Sequence, residues 1–258
     1  MIGVFGGSGF SSLLGESEEV VVETPYGPTS APIALGTIGA QQVAFMPRHG
    51  VSHEFPPAQI PYRANVWAMR ELGVRRLLGP AACGSLRAGL SRGDFVVCDQ
   101  FVDRTRGRAD TFYEGPETTH VAAAEPFCPE LRGVLVDTAV ELGIPVHDRG
   151  TVVVVQGPRF STRAESQWFA AMRWDLVNMT AYPESWLARE LELCYANISI
   201  VTDYDAGVEG GEAVSAGEVV RSFGESLERL RTLLLTAIPR IAPQPQDVCA
   251  TALDRARL

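Results

Sequence analysis

The sequence predicts a single α/β domain, with helices packed on a mostly parallel or mixed β-sheet. Three observations predict it. Short apolar runs recur along the 258 residues, each bounded by glycine or polar residues. Amphipathic stretches of helical period lie between several of these runs. No stretch is rich enough in proline, glycine or serine to divide the chain. With 46% hydrophobic and 21% charged residues the chain can bury a sizeable core.

Taken in order, the runs at 2–5, 43–46, 76–79, 95–97, 151–155, 176–179 and 196–201 are too short for buried helices. They are rich in β-branched residues, so each predicts a strand. Helical spacing of apolar residues predicts helices over 60–72, 129–142, 184–191 and 216–238. The last is the longest, with Val219, Val220, Phe223, Leu227, Leu230 and Leu234 expected on one face. Residues 242–258, with Pro243 and Pro245, read as a weakly ordered or docking tail, which leaves 1–241 as the domain.

The formal net charge is −9, and all 22 basic residues are arginine. The absence of lysine excludes a P-loop, a protein kinase and a pyridoxal-phosphate enzyme, each of which needs one. Any anion must therefore be held by arginine, histidine, hydroxyls or backbone N–H groups. The densest basic stretch, Arg104, Arg106 and Arg108, is matched by Asp99, Asp103 and Asp110. No basic patch invites nucleic acid or an anionic membrane. The five cysteines are odd in number and include no C-x-x-C pair, so reduced thiols are expected, with no disulfide framework and no metal site. The opening segment has no basic run and no long apolar stretch, and 18 consecutive apolar residues occur nowhere. A cytoplasmic protein is expected.

Several strand ends carry chemistry. The turn Gly6-Gly7-Ser8-Gly9 offers backbone N–H groups and a hydroxyl that could cradle a phosphate, although tight turns commonly use glycine for shape alone. It does not match G-x-G-x-x-G, which weakens the alternative of a dinucleotide-binding oxidoreductase. Arg48 and His49 follow the run 43–46, where an arginine fork beside a histidine can clamp phosphate; a surface arginine beside a structural histidine is the alternative. His53 stands four residues on, with no third ligand to make a metal site. Asn178, Met179 and Thr180 end another run, and Met179 alone would be assigned to the core. Asp203 and Asp205 close the run 196–201 and, two residues apart in extended chain, face one side. They suit an acid and a hydrogen-bond acceptor, or else form a solvated acidic turn. Phe160 could present its ring to a flat ligand or fill the core.

Taken together, these pieces resemble the trimeric purine nucleoside phosphorylases, in particular the methylthioadenosine phosphorylase branch. The matching motifs are GGSGF at 6–10, PRHG at 47–50, YRANVWAM at 62–69, ACGSLR at 82–87 and DQFVDRT at 99–105. AEPFCP at 124–129, GPRFSTRAES at 157–166, NMT at 178–180 and TDYDAG at 202–207 complete the series. The resemblance implies a mixed sheet curled toward a barrel, flanked by helices, in a homotrimer. It implies phosphate binding by Ser8, Arg48, His49 and Thr180 with backbone help near Ala82. Met179 would lie against the ribose, Phe160 near the purine, and Asp203 and Asp205 at its N7 and 6-amino group. Val219 would line the 5′ pocket, Ser161 and Ala216 would tune specificity, and His120 would come from the neighbouring subunit. No cofactor is implied, since phosphate is a co-substrate. The expected reaction is phosphorolysis of methylthioadenosine; broader purine nucleoside or methylthioinosine phosphorolysis is the alternative. Two departures stand out: Ala81, where relatives commonly carry threonine, and Ala216, where valine is frequent.

Overall fold

Short β-branched and aromatic runs separated by turns give strands here because neither face of the sheet is left to water. The structure, a computed structural model, describes residues 1–6, 14, 16–206, 214–245, 248–254 and 256. All seven expected strands form: β1 (Ile2–Gly6), β4 (Gln41–Pro47), β5 (Arg76–Ser85), β6 (Phe95–Val97), β9 (Thr151–Val155), β10 (Leu176–Asn178) and β11 (Cys194–Tyr204). Four more join them: β2 (Glu18–Val20), β3 (Ile33–Ile38), β7 (Gln100–Arg104) and β8 (Val146–His147). Gly36 and Thr37 interrupt the apolar pattern of β3, while β2 and β7 are short or half-exposed, so none of the three presents a continuous apolar run.

The sheet is mixed and forks at β5. Its order runs β2-β3-β4-β1-β5-β10-β9-β7, while β11 pairs with the other edge of β5 and continues to β6 and β8. On the first edge, β1 pairs in parallel with residues 76–78 and β10 pairs antiparallel with 84–85. Residues 79–83 lie between these two pairings. Here Pro80, which has no N–H for a ladder, is tolerated inside a long strand, and here a cavity opens.

Helices α1 (Tyr62–Glu71), α2 (Pro129–Glu141), α4 (Ala181–Glu190) and α5 (Ala216–Ala237) occupy the expected segments. α1 and α4 cover one face through Val66, Met69, Leu187 and Ala188. α2 and α5 cover the other through Leu131, Leu135, Leu230 and Leu234. A fifth helix, α3 (Arg163–Ala171), starts at a capping box in which Thr162 and Glu165 exchange hydrogen bonds. Of the stripe expected on α5, Val220 departs: it is 73% exposed, because the first turns of the helix stand clear of the core.

After Ile241 the chain returns across the body. Arg76 donates to the carbonyls of Ala242 and Gln244, Cys249 is buried, and Ala256 accepts from the backbone of His120. Among the described residues no helix is long and apolar enough to cross a membrane.

Candidate active site

The fork at β5 floors a cavity of about 550 Å³. Four residues of strand rise separate Pro80 from Gly84, or about 13 Å, and these two positions mark its ends.

The first end is built around Arg48, which β4 delivers beside β1; the Arg48 N–H bonds the carbonyl of Gly6 at 2.9 Å. Its guanidinium is buried. Nε and Nη2 donate to the two carboxylate oxygens of Glu184 at 2.5 and 2.8 Å, and Nη1 donates to the Pro80 carbonyl at 3.1 Å. Glu184 Oε1 also accepts from the Tyr195 hydroxyl at 2.6 Å. Two parallel N–H···O contacts make this a buried, bidentate ion pair whose opposite charges offset each other. Burial lowers the Arg48 pKa, but Glu184 more than reverses this by charge and hydrogen bonding, and the guanidinium stays charged. Of the two readings the sequence offered, a surface arginine is excluded by burial, and the charge of Arg48 is already matched by Glu184. Gly79 makes the arrangement possible, because a Cβ there would sit 1.9 Å from the Tyr195 oxygen.

His49 lies alongside. Its Nδ1 is 2.9 Å from the Phe55 carbonyl, which can only accept, so Nδ1 carries the hydrogen and Nε2 is an acceptor. Burial, together with Arg48 and His53 nearby, pushes its pKa down to about 4, against the hydrogen bond to Phe55, so the ring is neutral at pH 7. His53 stacks on it at 4.3 Å. Thr180 precedes α4 without using its side chain as a cap. β10 runs antiparallel to β5, so the chain after Asn178 travels back toward Pro80 and brings Met179 and Thr180 to this end.

The second end is built on a β-bulge. Val201 pairs with Cys83 and Asp203 with Gly84, which leaves Thr202 as the extra residue. Bulges re-aim side chains beside sites, and Thr202, Asp203 and Asp205 all line the cavity. Thr202 Oγ1 donates to Asp203 Oδ1 at 2.7 Å. Burial raises the Asp203 pKa to about 6; the Thr202 hydrogen bond and Arg92 oppose the rise, and Asp205 and Glu218 add to it. Burial also raises Asp205, against the pull of Ser166 and Ser161 beside it. A Cβ at Gly84 would stand 2.9 Å from Asp203 Oδ2, so only glycine lets the carboxylate approach the floor. Among the described residues, Asp205 Oδ2, Asn178 Nδ2 and Ser161 Oγ are buried without a well-formed hydrogen bond. Such groups cost about 1–3 kcal/mol each when left unmade. All three belong to residues lining the cavity.

The wall is apolar. Val219, Phe223 and Leu227 present one stripe of α5, and Phe160, 36% exposed, borders the opening on the loop before α3. Ala81, Ala82 and Ala216 also line the cavity. Ser8 lies outside the described residues. His120 is exposed and does not line the cavity of its own chain. Sequence reading missed Glu184, Tyr195 and Thr202; the pattern Thr180-x-x-x-Glu184 across a helix start was the available signal for the first.

Away from the cavity, Cys128, Cys194 and Cys249 place their sulfurs within 4.8 Å of one another, the one group of possible metal ligands among the described residues. The guanidinium of Arg76 stands 3.1 Å from Cys194 Sγ and 3.8 Å from Cys128 Sγ. That fixed positive charge beside two of the three sulfurs disfavours a metal cation among them.

Fold and site together define an α/β protein with an apolar-walled cavity that carries an arginine and a histidine at one end and two carboxylates at the other. The chain matches the model of the phosphorylase superfamily over residues 1–239. It is 56% identical over 246 residues to the S-methyl-5′-thioadenosine phosphorylase of Mycobacterium tuberculosis, covering 95% of this chain and 90% of the relative. It is 48% identical over 256 residues to the purine nucleoside phosphorylase of Streptomyces coelicolor, covering 96% and 91%. A solved structure of methylthioadenosine phosphorylase from Schistosoma mansoni with adenine superposes with a TM-score of 0.94 at 37% identity, covering 99% and 98%. The protein belongs to the phosphorylase superfamily.

Proposed function

We propose that the protein cleaves the N-glycosidic bond of S-methyl-5′-thioadenosine with phosphate, releasing adenine and 5-methylthioribose 1-phosphate. It is a pentosyltransferase of the purine nucleoside phosphorylase type. The observation that carries the choice of base is the buried pair Asp203 and Asp205, with Asp205 Oδ2 lacking a well-formed hydrogen bond among the described residues. A 6-amino group donates to such an oxygen. A 6-oxo group would set acceptor against acceptor, costing roughly 1–3 kcal/mol.

In the reaction the C1′–N9 bond breaks as a phosphate oxygen bonds C1′. Phosphate sits at the Arg48 end, held by the two guanidinium N–H groups left after three of five are used, by Thr180, by backbone near Ala82, and by Ser8. Neutral His49 accepts at Nε2 a hydrogen bond donated by a protonated phosphate oxygen. Met179 lies under the ribose, and Phe160 covers the purine. Asp203, with its pKa near 6, delivers or shares a proton at N7 as the base departs. The apolar stripe Val219, Phe223 and Leu227 receives the methylthio group, with Ser161 and Ala216 tuning fit. The enzyme needs no cofactor and works in the cytoplasm as a homotrimer, with His120 serving a neighbouring subunit.

A broader purine nucleoside specificity is the second reading, favoured by the small residues Ala81 and Ala216 on the cavity wall. Methylthioadenosine, adenosine, inosine and methylthioinosine should be assayed with phosphate present and omitted. Methylthioadenosine should turn over fastest, and only with phosphate. Faster turnover of inosine would overturn the assignment.

A further inference from the structure

Glu184 is a buried carboxylate, 1% exposed, to which the reaction assigns no direct part. Its position is heavily determined. α4 places it four residues after Thr180, β11 supplies the Tyr195 hydroxyl, and Gly79 clears the space in which Tyr195 and Glu184 meet. Both its oxygens face Arg48. Such a pair has two consequences for an anion arriving at the other side of the guanidinium. The fork geometry locks the plane of Arg48 and so fixes the directions of its remaining N–H groups. The charge of Arg48 is also already cancelled, and His49 beside it is neutral, so the described part of the cradle carries no net positive charge.

We propose that Glu184 is a positioning residue that orients Arg48 and neutralises it, so that bound phosphate keeps its negative charge for the developing ribosyl cation. The inference rests on the phosphate reading of this end. A cradle with an unpaired arginine would bind phosphate more tightly in the ground state, yet would draw off the charge that makes it a nucleophile and a partner for C1′. Binding that is tighter before the transition state than in it does not accelerate the reaction. Glu184 therefore trades phosphate affinity for turnover.

Two substitutions separate orientation from charge. Glu184→Gln keeps an acceptor for Arg48 and removes the charge. The KM for phosphate should fall about tenfold, as expected when Arg48 is free to form a full charge-assisted hydrogen bond to the anion. Over the same change kcat should fall roughly a hundredfold, the scale on which a preorganised electrostatic interaction is lost. Glu184→Asp keeps the charge and withdraws the carboxylate by one methylene. It should raise the KM for phosphate, with a smaller effect on kcat than Gln. A merely structural role would change KM in the same direction in both. A raised KM in Glu184→Gln, or an unchanged KM in Glu184→Asp, overturns the proposal. If the Gln variant does not fold, an unchanged KM for phosphate in an Asp variant that melts like the parent still overturns the proposal. If the parent protein itself fails to cleave nucleosides in the presence of phosphate, the reading of the site has failed, and that outcome is separate from either result.

Discussion

The two ends of the cavity are made on opposite principles. At the Pro80 end, Arg48, Glu184 and Tyr195 hold each other in hydrogen bonds of 2.5 to 2.8 Å, and His49 is tied to the Phe55 carbonyl. At the Gly84 end, Asp205, Asn178 and Ser161 each keep a buried polar atom unmatched among the described residues, and burial pushes the Asp203 pKa well above its ordinary value. One end is complete before a ligand arrives; the other is in deficit. The lesson is a division of labour. The closed end supplies fixed geometry, and the open end keeps polar atoms in a deficit that a complementary ligand would relieve and a mismatched one would not.

The hardest blow to this contrast, if it fails, comes from Asp203→Asn. Turnover of methylthioadenosine should fall about 10²- to 10⁴-fold, the range of general acid–base help, and the ratio of 6-oxopurine to 6-aminopurine cleavage should rise. An unchanged ratio would remove Asp203 from recognition of the base.

Next in size is Arg48→Met. Taking one partner from a buried ion pair strands the other, so denaturant unfolding should show a loss of about 3–5 kcal/mol. A variant as stable as the parent would mean that the Pro80 end is not a closed unit.

The smallest effect has the opposite sign. The Asp203 pKa is about 6 in the fold against the ordinary 3.8, so the folded chain binds this proton more tightly than the unfolded chain. The stability this provides is full below pH 3.8 and is lost as pH rises through about 6. Asparagine has no such proton to lose. Asp203→Asn should therefore be more stable than the parent at neutral pH, by roughly 1–3 kcal/mol, with the gap closing below about pH 4. Unfolding curves at several pH values read this directly. Greater stability of the parent at about pH 8 would show that the open end carries no strain.

The same contrast explains what the sequence made legible. Arg48, His49, Thr180, Asp203 and Asp205 are readable because each follows an apolar run, and chemistry collects at strand ends. Glu184 and Tyr195 are not readable in that way. They sit inside elements, among residues that look structural, and matter only because α4 and β11 bring them to Arg48 across 136 and 147 positions of chain (184 − 48 and 195 − 48). The bulge at Thr202 leaves no composition signal, since threonine is an ordinary strand residue. Strand β3 was hidden by Gly36 and Thr37, and α3 was missed as well, although Thr162 and Glu165 form a local capping pattern that needs no tertiary context. Cys128 and Cys194, far apart in sequence, both reach Arg76, a meeting no spacing rule captures. Local rules thus reach the ligand-facing groups, and only the fold reaches the groups behind them.

Gly79 contributes no functional atom, yet the hydrogen of its α-carbon is the clearance through which Tyr195 reaches Glu184. The Arg48 end is thus written partly in a blank: a residue whose whole contribution is the room it leaves. Any census of an active site that counts only groups able to donate, accept or react will pass over it, and a single methyl placed there would silence a conversation among three other side chains.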